Sequence, residues 1–108
     1  MIARVGYFGD LTPEQQRAQE ENGKRRFFPA ISSQPGLVAL LWMHTEDGGR
    51  VSLSVWETEE AMVEGARRAN AVPLLPGMRG EDIPSPERIE MWDVKECFLA
   101  PAHASATA

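Results

Sequence analysis

Cysteine is nearly missing from this sequence, and the single one, Cys97, rules out an internal disulfide. Histidine is almost as rare, with only His44 and His103, so the His and Cys clusters that hold zinc or iron have no material to form from. No apolar run approaches the roughly 20 residues of a membrane span. No secretory leader opens the chain, because Ile2 to Phe8 reads as a strand, and the cytoplasm is the expected compartment. No glycine fingerprint opens a helix, which excludes a dinucleotide-type flavin or nicotinamide fold. Positive charge is also short: 11 Lys and Arg stand against 16 Asp and Glu, for a net charge of −5. That balance excludes a nucleic-acid surface. The short clusters Lys24-Arg25-Arg26 and Arg67-Arg68 lie in acid-rich helical segments and read as solvated faces. No internal repeat is present.

What remains is an ordinary soluble composition, 43% hydrophobic and 25% charged over 108 residues. One domain is expected over residues 1–98, followed by a tail at 99–108 with nothing large to bury. Gly9-Asp10 ends the first strand, and Thr12-Pro13-Glu14-Gln15 carries a capping box with proline at the first helical position. That helix is expected to run to about Ile31. Its first half is so polar that it either packs loosely or lines something polar. Pro35-Gly36 turns into Leu37–His44, and Asp47-Gly48-Gly49 separates this run from Val51–Trp56, a strong hairpin signal. Thr58 with Glu59 and Glu60 then opens a second helix to about Ala71, whose Met62, Gly65, Ala66 and Ala69 recur at helical spacing. Residues 72–87 hold four prolines among apolar side chains, a long loop expected to cover something. Arg88 to Phe98 reads as the last strand. The order β-α-β-β-α-β gives an α+β, ferredoxin-like antiparallel sheet with both helices on one face.

Side chains alternate across a strand, so the hairpin sorts into two faces. A two- or four-residue turn at Asp47-Gly48 or Gly48-Gly49 sets Val38, Leu40, Trp42 and His44 beside Val51, Leu53 and Val55. Leu37, Ala39, Leu41 and Met43 then lie beside Ser52, Ser54 and Trp56. Both faces of the first hairpin strand are apolar, whereas a sheet with one wet face shows polar alternation. Two helices cover one face only, so the other is expected to meet a second copy, giving a homodimer through the sheet.

Gln34-Pro35-Gly36 before the second strand and Val55-Trp56-Glu57-Thr58-Glu59-Glu60-Ala61 at the strand-to-helix junction complete a pattern that resembles the antibiotic-biosynthesis monooxygenase type of dimeric α/β-barrel protein. The resemblance covers roughly Ile2 to Phe98. It implies a pocket between sheet and helices, lined by Trp56, for a small apolar or aromatic ligand. The family includes oxygenases that act without a cofactor on phenols or quinols, haem-degrading oxygenases, and members with no assigned reaction. Haem degradation is disfavoured, because the position of the haem-ligating His on the second helix falls on Ala66.

Substrate contact is therefore assigned to Trp56, to the small Ser52 and Ser54 that leave room beside it, and to Leu41 and Met43 on the same expected face. His44, Tyr7 and Asn70 are the catalytic candidates: an imidazole near neutral pH, a phenol hydroxyl and a helix-end amide. Each also has a plainer role, as a strand-end His, a core Tyr and a helix cap. Asn22, Arg25 and Arg26 of the first helix are candidates to orient a phenolate or carboxylate, with solvation as the plainer alternative. Cys97 reads as a core filler. The expected function is a cofactor-independent monooxygenase, or a related small enzyme, acting on an aromatic or quinone-like substrate with no metal or cofactor. The alternative is a dimer of the same fold that binds a small molecule without chemistry.

Overall fold

The computed structural model describes residues 1–100, so the expected tail falls largely on residues 101–108, outside the described part. The chain runs through β1 (Ile2–Phe8), α1 (Pro13–Asn22), a π-helical segment (Gly23–Phe27), α2 (Phe28–Ser32), β2 (Leu37–His44), β3 (Arg50–Trp56), α3 (Glu59–Ala71) and β4 (Arg88–Asp93). The four strands form one antiparallel sheet in the order β2-β3-β1-β4. This is the expected α+β, ferredoxin-like arrangement. Among the described residues, no helix is long and apolar enough to cross a membrane.

Local signals explain the helix boundaries. Thr12 Oγ1 accepts from Gln15 N at 3.2 Å, Gln15 Oε1 accepts from Thr12 N at 2.9 Å, and Pro13 takes the first turn. Thr58 Oγ1 accepts from Ala61 N at 3.0 Å and starts α3 in the same way. The first helical arm is unbroken but widens by one residue per turn at its middle, where Phe28 N–H donates to Gly23 O, five residues back. Such π segments recur at functional sites, because they rotate the side chains that follow them.

The core lies where α2 and α3 press on the sheet. Ile31, Trp56, Met62 and Ala69 are buried there, with Phe27, Phe28, Leu37 and Leu40 packed against them. Trp56 is 1% exposed, the most deeply buried large side chain of the described residues. Gly65 makes its position possible, since a Cβ there would stand 2.5 Å from Trp56 Cη2.

Two expectations about the strands are corrected. The hairpin connection is five residues, Thr45 to Gly49. Thr45 N donates to Gly49 O at 2.8 Å, Gly49 N donates to Thr45 Oγ1 at 2.8 Å, the Thr45 hydroxyl bonds Asp47, and Gly48 takes a positive φ. An odd loop pairs even with even positions, Leu40 with Ser54, Trp42 with Ser52 and His44 with Arg50. Leu41 and Met43 therefore lie opposite Leu53 and Val51, on the face away from Trp56. A bulge between Leu37 and Ala39 returns Leu37 to the Trp56 side. The last strand also stops at Asp93 rather than Phe98. Its register with β1 runs as far as Ile2 opposite Asp93, and Val94 N donates to Met1 O at 2.9 Å just beyond it.

Candidate functional site

The helices and the sheet enclose a cavity of about 560 Å³. Its floor is the helix-facing side of three strands: Arg4 and Phe8 from β1, Leu40 and Trp42 from β2, and Ser52, Ser54 and Trp56 from β3. The first helical arm supplies Gln19, Asn22 and Arg26 with Phe27, Phe28 and Ile31, while α3 adds Met62, Ala66 and Asn70. Leu74, Ile83 and Pro84 to Pro86 close it from the long loop, so that loop covers the mouth. The aromatic walls interlock edge to face, Phe8 on Trp42 at 5.5 Å between centroids and Phe28 on Trp42 at 5.9 Å.

Polar groups inside this apolar shell fall into two sets. Arg26 is committed to the fold. Its Nε donates to Val72 O at 2.9 Å, its Nη2 to Asn70 O at 2.8 Å, and its Nη1 to Asn22 Oδ1 at 3.0 Å. This guanidinium satisfies the carbonyls at the end of α3 and ties that end to the π segment. The second set has no protein partner. Gln19 is 8% exposed, and neither its Nε2 nor its Oε1 is hydrogen-bonded; the buried Trp56 Nε1 is also unpartnered. Buried polar atoms without partners are costly, about 1–3 kcal/mol each. The Arg4 side chain makes no hydrogen bond or ion pair with the described residues, and burial lowers its guanidinium below the usual Arg range while leaving it charged near neutrality. Gln19, Trp56 and Arg4 form an interior with two neutral donors, one acceptor and one cation unspent.

The sequence candidates separate cleanly against this geometry. Trp56, Ser52 and Ser54 line the cavity together. Leu41 and Met43 do not, because the five-residue turn puts them on the opposite face, where they are 45% and 37% exposed. Tyr7 is on that face too. Its hydroxyl donates to Glu90 Oε1 at 2.7 Å, and the Arg88 guanidinium stacks 4.1 Å from its ring centroid. His44 is exposed at the end of β2 with its ring edge-on to Trp42, outside the cavity. Asn70 borders the cavity, but its Nδ2 donates to Ala66 O at 2.9 Å, so its amide serves its own helix. Arg25 is exposed and bonds Glu21 at 2.8 Å. Cys97 is half-buried beyond β4 rather than in the core.

Arg4 and Gln19 escape the sequence reading. A lone Arg in an apolar strand looks like an outward residue, and Gln19 is one polar residue among many in α1. The usable signals were the polarity of α1 itself and the alternation of Ile2, Arg4, Gly6 and Phe8, which places Arg4 on the face that pairs with Ser54.

No family model matches the sequence, and no curated protein matches it. Solved structures match across nearly the whole chain. MupZ from Pseudomonas fluorescens superposes with a TM-score of 0.67 at 11% identity, over 94% of this chain and 95% of its own. A mutant of MhuD with two manganese protoporphyrin IX molecules bound per active site gives 0.65 at 11% identity, over 93% and 100%. SnoaB, a cofactor-independent oxygenase from Streptomyces nogalater, gives 0.53 at 20% identity, over 89% and 91%. At such identities the likeness is one of fold, the ferredoxin-like α+β arrangement described above. The cavity does not fit a haem. No imidazole, thiolate or phenolate lines it among the described residues, and Ala66 stands where the resemblance implies a haem-ligating His.

Proposed function

We propose that the protein is a cofactor-independent monooxygenase, or a closely related small enzyme, that takes a polycyclic phenol, quinol or anthrone into the cavity under Trp56. The observation that carries this reading is the make-up of the cavity: ring-lined walls, one unpaired cation at Arg4, and unpartnered hydrogen-bonding atoms on Gln19 and Trp56. Such a substrate, once deprotonated, passes an electron to O2 itself, and the radical pair closes to a hydroperoxide at the ring carbon. Loss of water leaves the ketone. For an anthrone, one oxygen atom enters the ring carbon and the other departs as water with that carbon's two hydrogens. The protein's share is to exclude water and hold the ring flat between aromatic walls.

The test is oxygen consumption with a panel of anthrones and hydroquinones, corrected for autoxidation in buffer. One O2 per anthrone, above the uncatalysed rate, is expected. A second reading, a binding protein without chemistry, is favoured by the lack of any Asp, Glu, His, Lys, Tyr or Cys among the described lining residues. Tight binding of the same panel without accelerated uptake would establish it in place of the first.

The assembly proposed with this function is a homodimer through the uncovered sheet face. Its support is the grouping of Leu41, Met43 and Trp92, 45%, 37% and 57% exposed, beside Leu53 and Val55 on one side of the sheet.

A further inference from the structure

We infer that the cavity selects an aromatic ligand bearing a full negative charge, a carboxylate or phenolate held by Arg4, over the neutral ring system of the same shape. This rests on the aromatic-ligand reading above and goes beyond it by assigning the ligand's charge and the residue that reads it.

Three observations converge. First, the ionisable residues among the described lining are two arginines, with no acid to neutralise them. Arg26 has its N–H groups directed at two carbonyls and the Asn22 amide oxygen, and is spent. Arg4 is not. Second, the residues around Arg4 offer no carboxylate. Across β3 it faces Ser54 and across β4 it faces Met91. The acid of β4 on the same side of the sheet is Asp93, opposite Ile2, and it bonds Lys95 at 2.6 Å. Glu90 points to the other face and accepts from Tyr7. A half-buried cation with no counter-ion is an unbalanced charge that a ligand anion would balance. Third, Gln19 is more than nine-tenths buried, lines the cavity, and has no partner for its Nε2 donor or its Oε1 acceptor. A planar anion with a neighbouring hydroxyl or carbonyl engages an arginine fork and such an amide together.

The probe pair is anthracene-9-carboxylate and 9-anthracenemethanol, one ring system with and without charge, titrated by calorimetry. The carboxylate is expected to bind at least about tenfold tighter to the wild-type protein, the scale of one charge-assisted hydrogen bond. Arg4→Gln should bring the two ligands to equal affinity, and Arg4→Lys should keep part of the preference. Affinity for the carboxylate should stay level from about pH 6 to 9, since an arginine such as Arg4 keeps its charge there. Equal binding of the two probes by the wild-type protein overturns the inference while leaving the aromatic pocket standing. A preference that survives in Arg4→Gln overturns the assignment to Arg4. Binding of neither probe removes the aromatic-ligand reading itself. The wild-type comparison needs no variant, so poor folding of Arg4→Gln leaves it decisive.

Discussion

The two faces of the sheet are built from alternate residues of the same strands, and at Arg4, Ser52 and Ser54 their chemistry is the reverse of an ordinary half-exposed sheet. Along β3, Ser52, Ser54 and Trp56 point toward the helices, while Val51, Leu53 and Val55 point away from them. Along β1, Arg4 points in, while Ala3 and Val5 point out. A sheet that simply covered a core would show aliphatic side chains inward and hydroxyls outward. Here the inward face turns two hydroxyls and a guanidinium toward the cavity, and the outward face presents Leu41, Met43 and Trp92 to the surroundings. Inward polarity is what the proposed ligand cavity requires. Outward apolarity is what the proposed homodimer contact requires. The two features depend on each other, because a sheet whose inner face is partly hollow gains from support on its outer one.

The strongest way to break this comparison is at Trp56, which belongs both to the core and to the cavity floor. Trp56→Ala should cost about 3–5 kcal/mol in urea unfolding, since it empties the most buried large position in the described structure. Trp56→Phe should fold with a far smaller loss and yet bind aromatic ligands more weakly. Loss of affinity only in step with loss of folding would return Trp56 to a purely structural role.

Next in size is Leu53→Lys, which places a charge in the middle of the outer face. Covered by a second copy, that charge would cost several kcal/mol and the protein should sediment as a monomer at micromolar concentration, where the wild type is expected at twice its chain mass. On an uncovered face the same change would fall within about 0.5 kcal/mol. A wild-type protein that stays monomeric would overturn the outer half of the comparison.

How much of this contrast could be read from the sequence turns on one loop. The element order, the caps at Thr12 and Thr58 and the span of α3 follow from local signals that the structure repeats, whereas the inward direction of Ser52, Ser54 and Trp56 is implied only by the family resemblance. The partners of those serines follow from neither. Asp47-Gly48-Gly49 reads as a short even turn, but the Thr45 hydroxyl and the Asp47 carboxylate close a five-residue one, and the Thr45 bond holds that carboxyl below its ordinary range. One residue of loop length moves Leu41 and Met43 from the cavity to the outer face, because strand periodicity is two. Arg4 was hidden for a related reason. Which side of β1 faces inward depends on its pairing with β3, a contact between residues about fifty positions apart.

A smaller effect sharpens the inner half. Gly65→Ala adds a methyl group 2.5 Å from Trp56 Cη2, and nearby 2.7 Å from Cζ3. Alanine favours the helix by about 1 kcal/mol over glycine, while overpacking a well-filled site costs about 1–3 kcal/mol. The ring is too buried to turn aside, so a net loss of about 1 kcal/mol is expected. In the Trp56→Phe background the ring no longer reaches Gly65, and Gly65→Ala should become neutral or stabilising. A double-mutant cycle in urea measures that coupling. Additive effects would mean that α3 does not rest on the Trp56 ring.

The smallest expected effect lies on the outer face, at Tyr7. Its hydroxyl donates to Glu90, and that hydrogen bond, reinforced by burial, raises the phenol above its ordinary value near 10, with Arg88 opposing. A folded-state pKa raised above the unfolded one adds stability that is fully present below the unfolded value, and loses it as pH rises through the folded value. Wild-type protein should therefore exceed Tyr7→Phe in stability at neutral pH, and the two should converge on the alkaline side of pH 10. Thermal unfolding of both proteins across that range checks it, and parallel curves would show that the Tyr7–Glu90 bond contributes nothing. The same titration bears on assembly. If a second copy covers this face, ionising Tyr7 puts a charge beside Glu90 within the contact, and dissociation should set in over the same alkaline range. Tyr7→Phe should then hold its dimer to higher pH than the wild type.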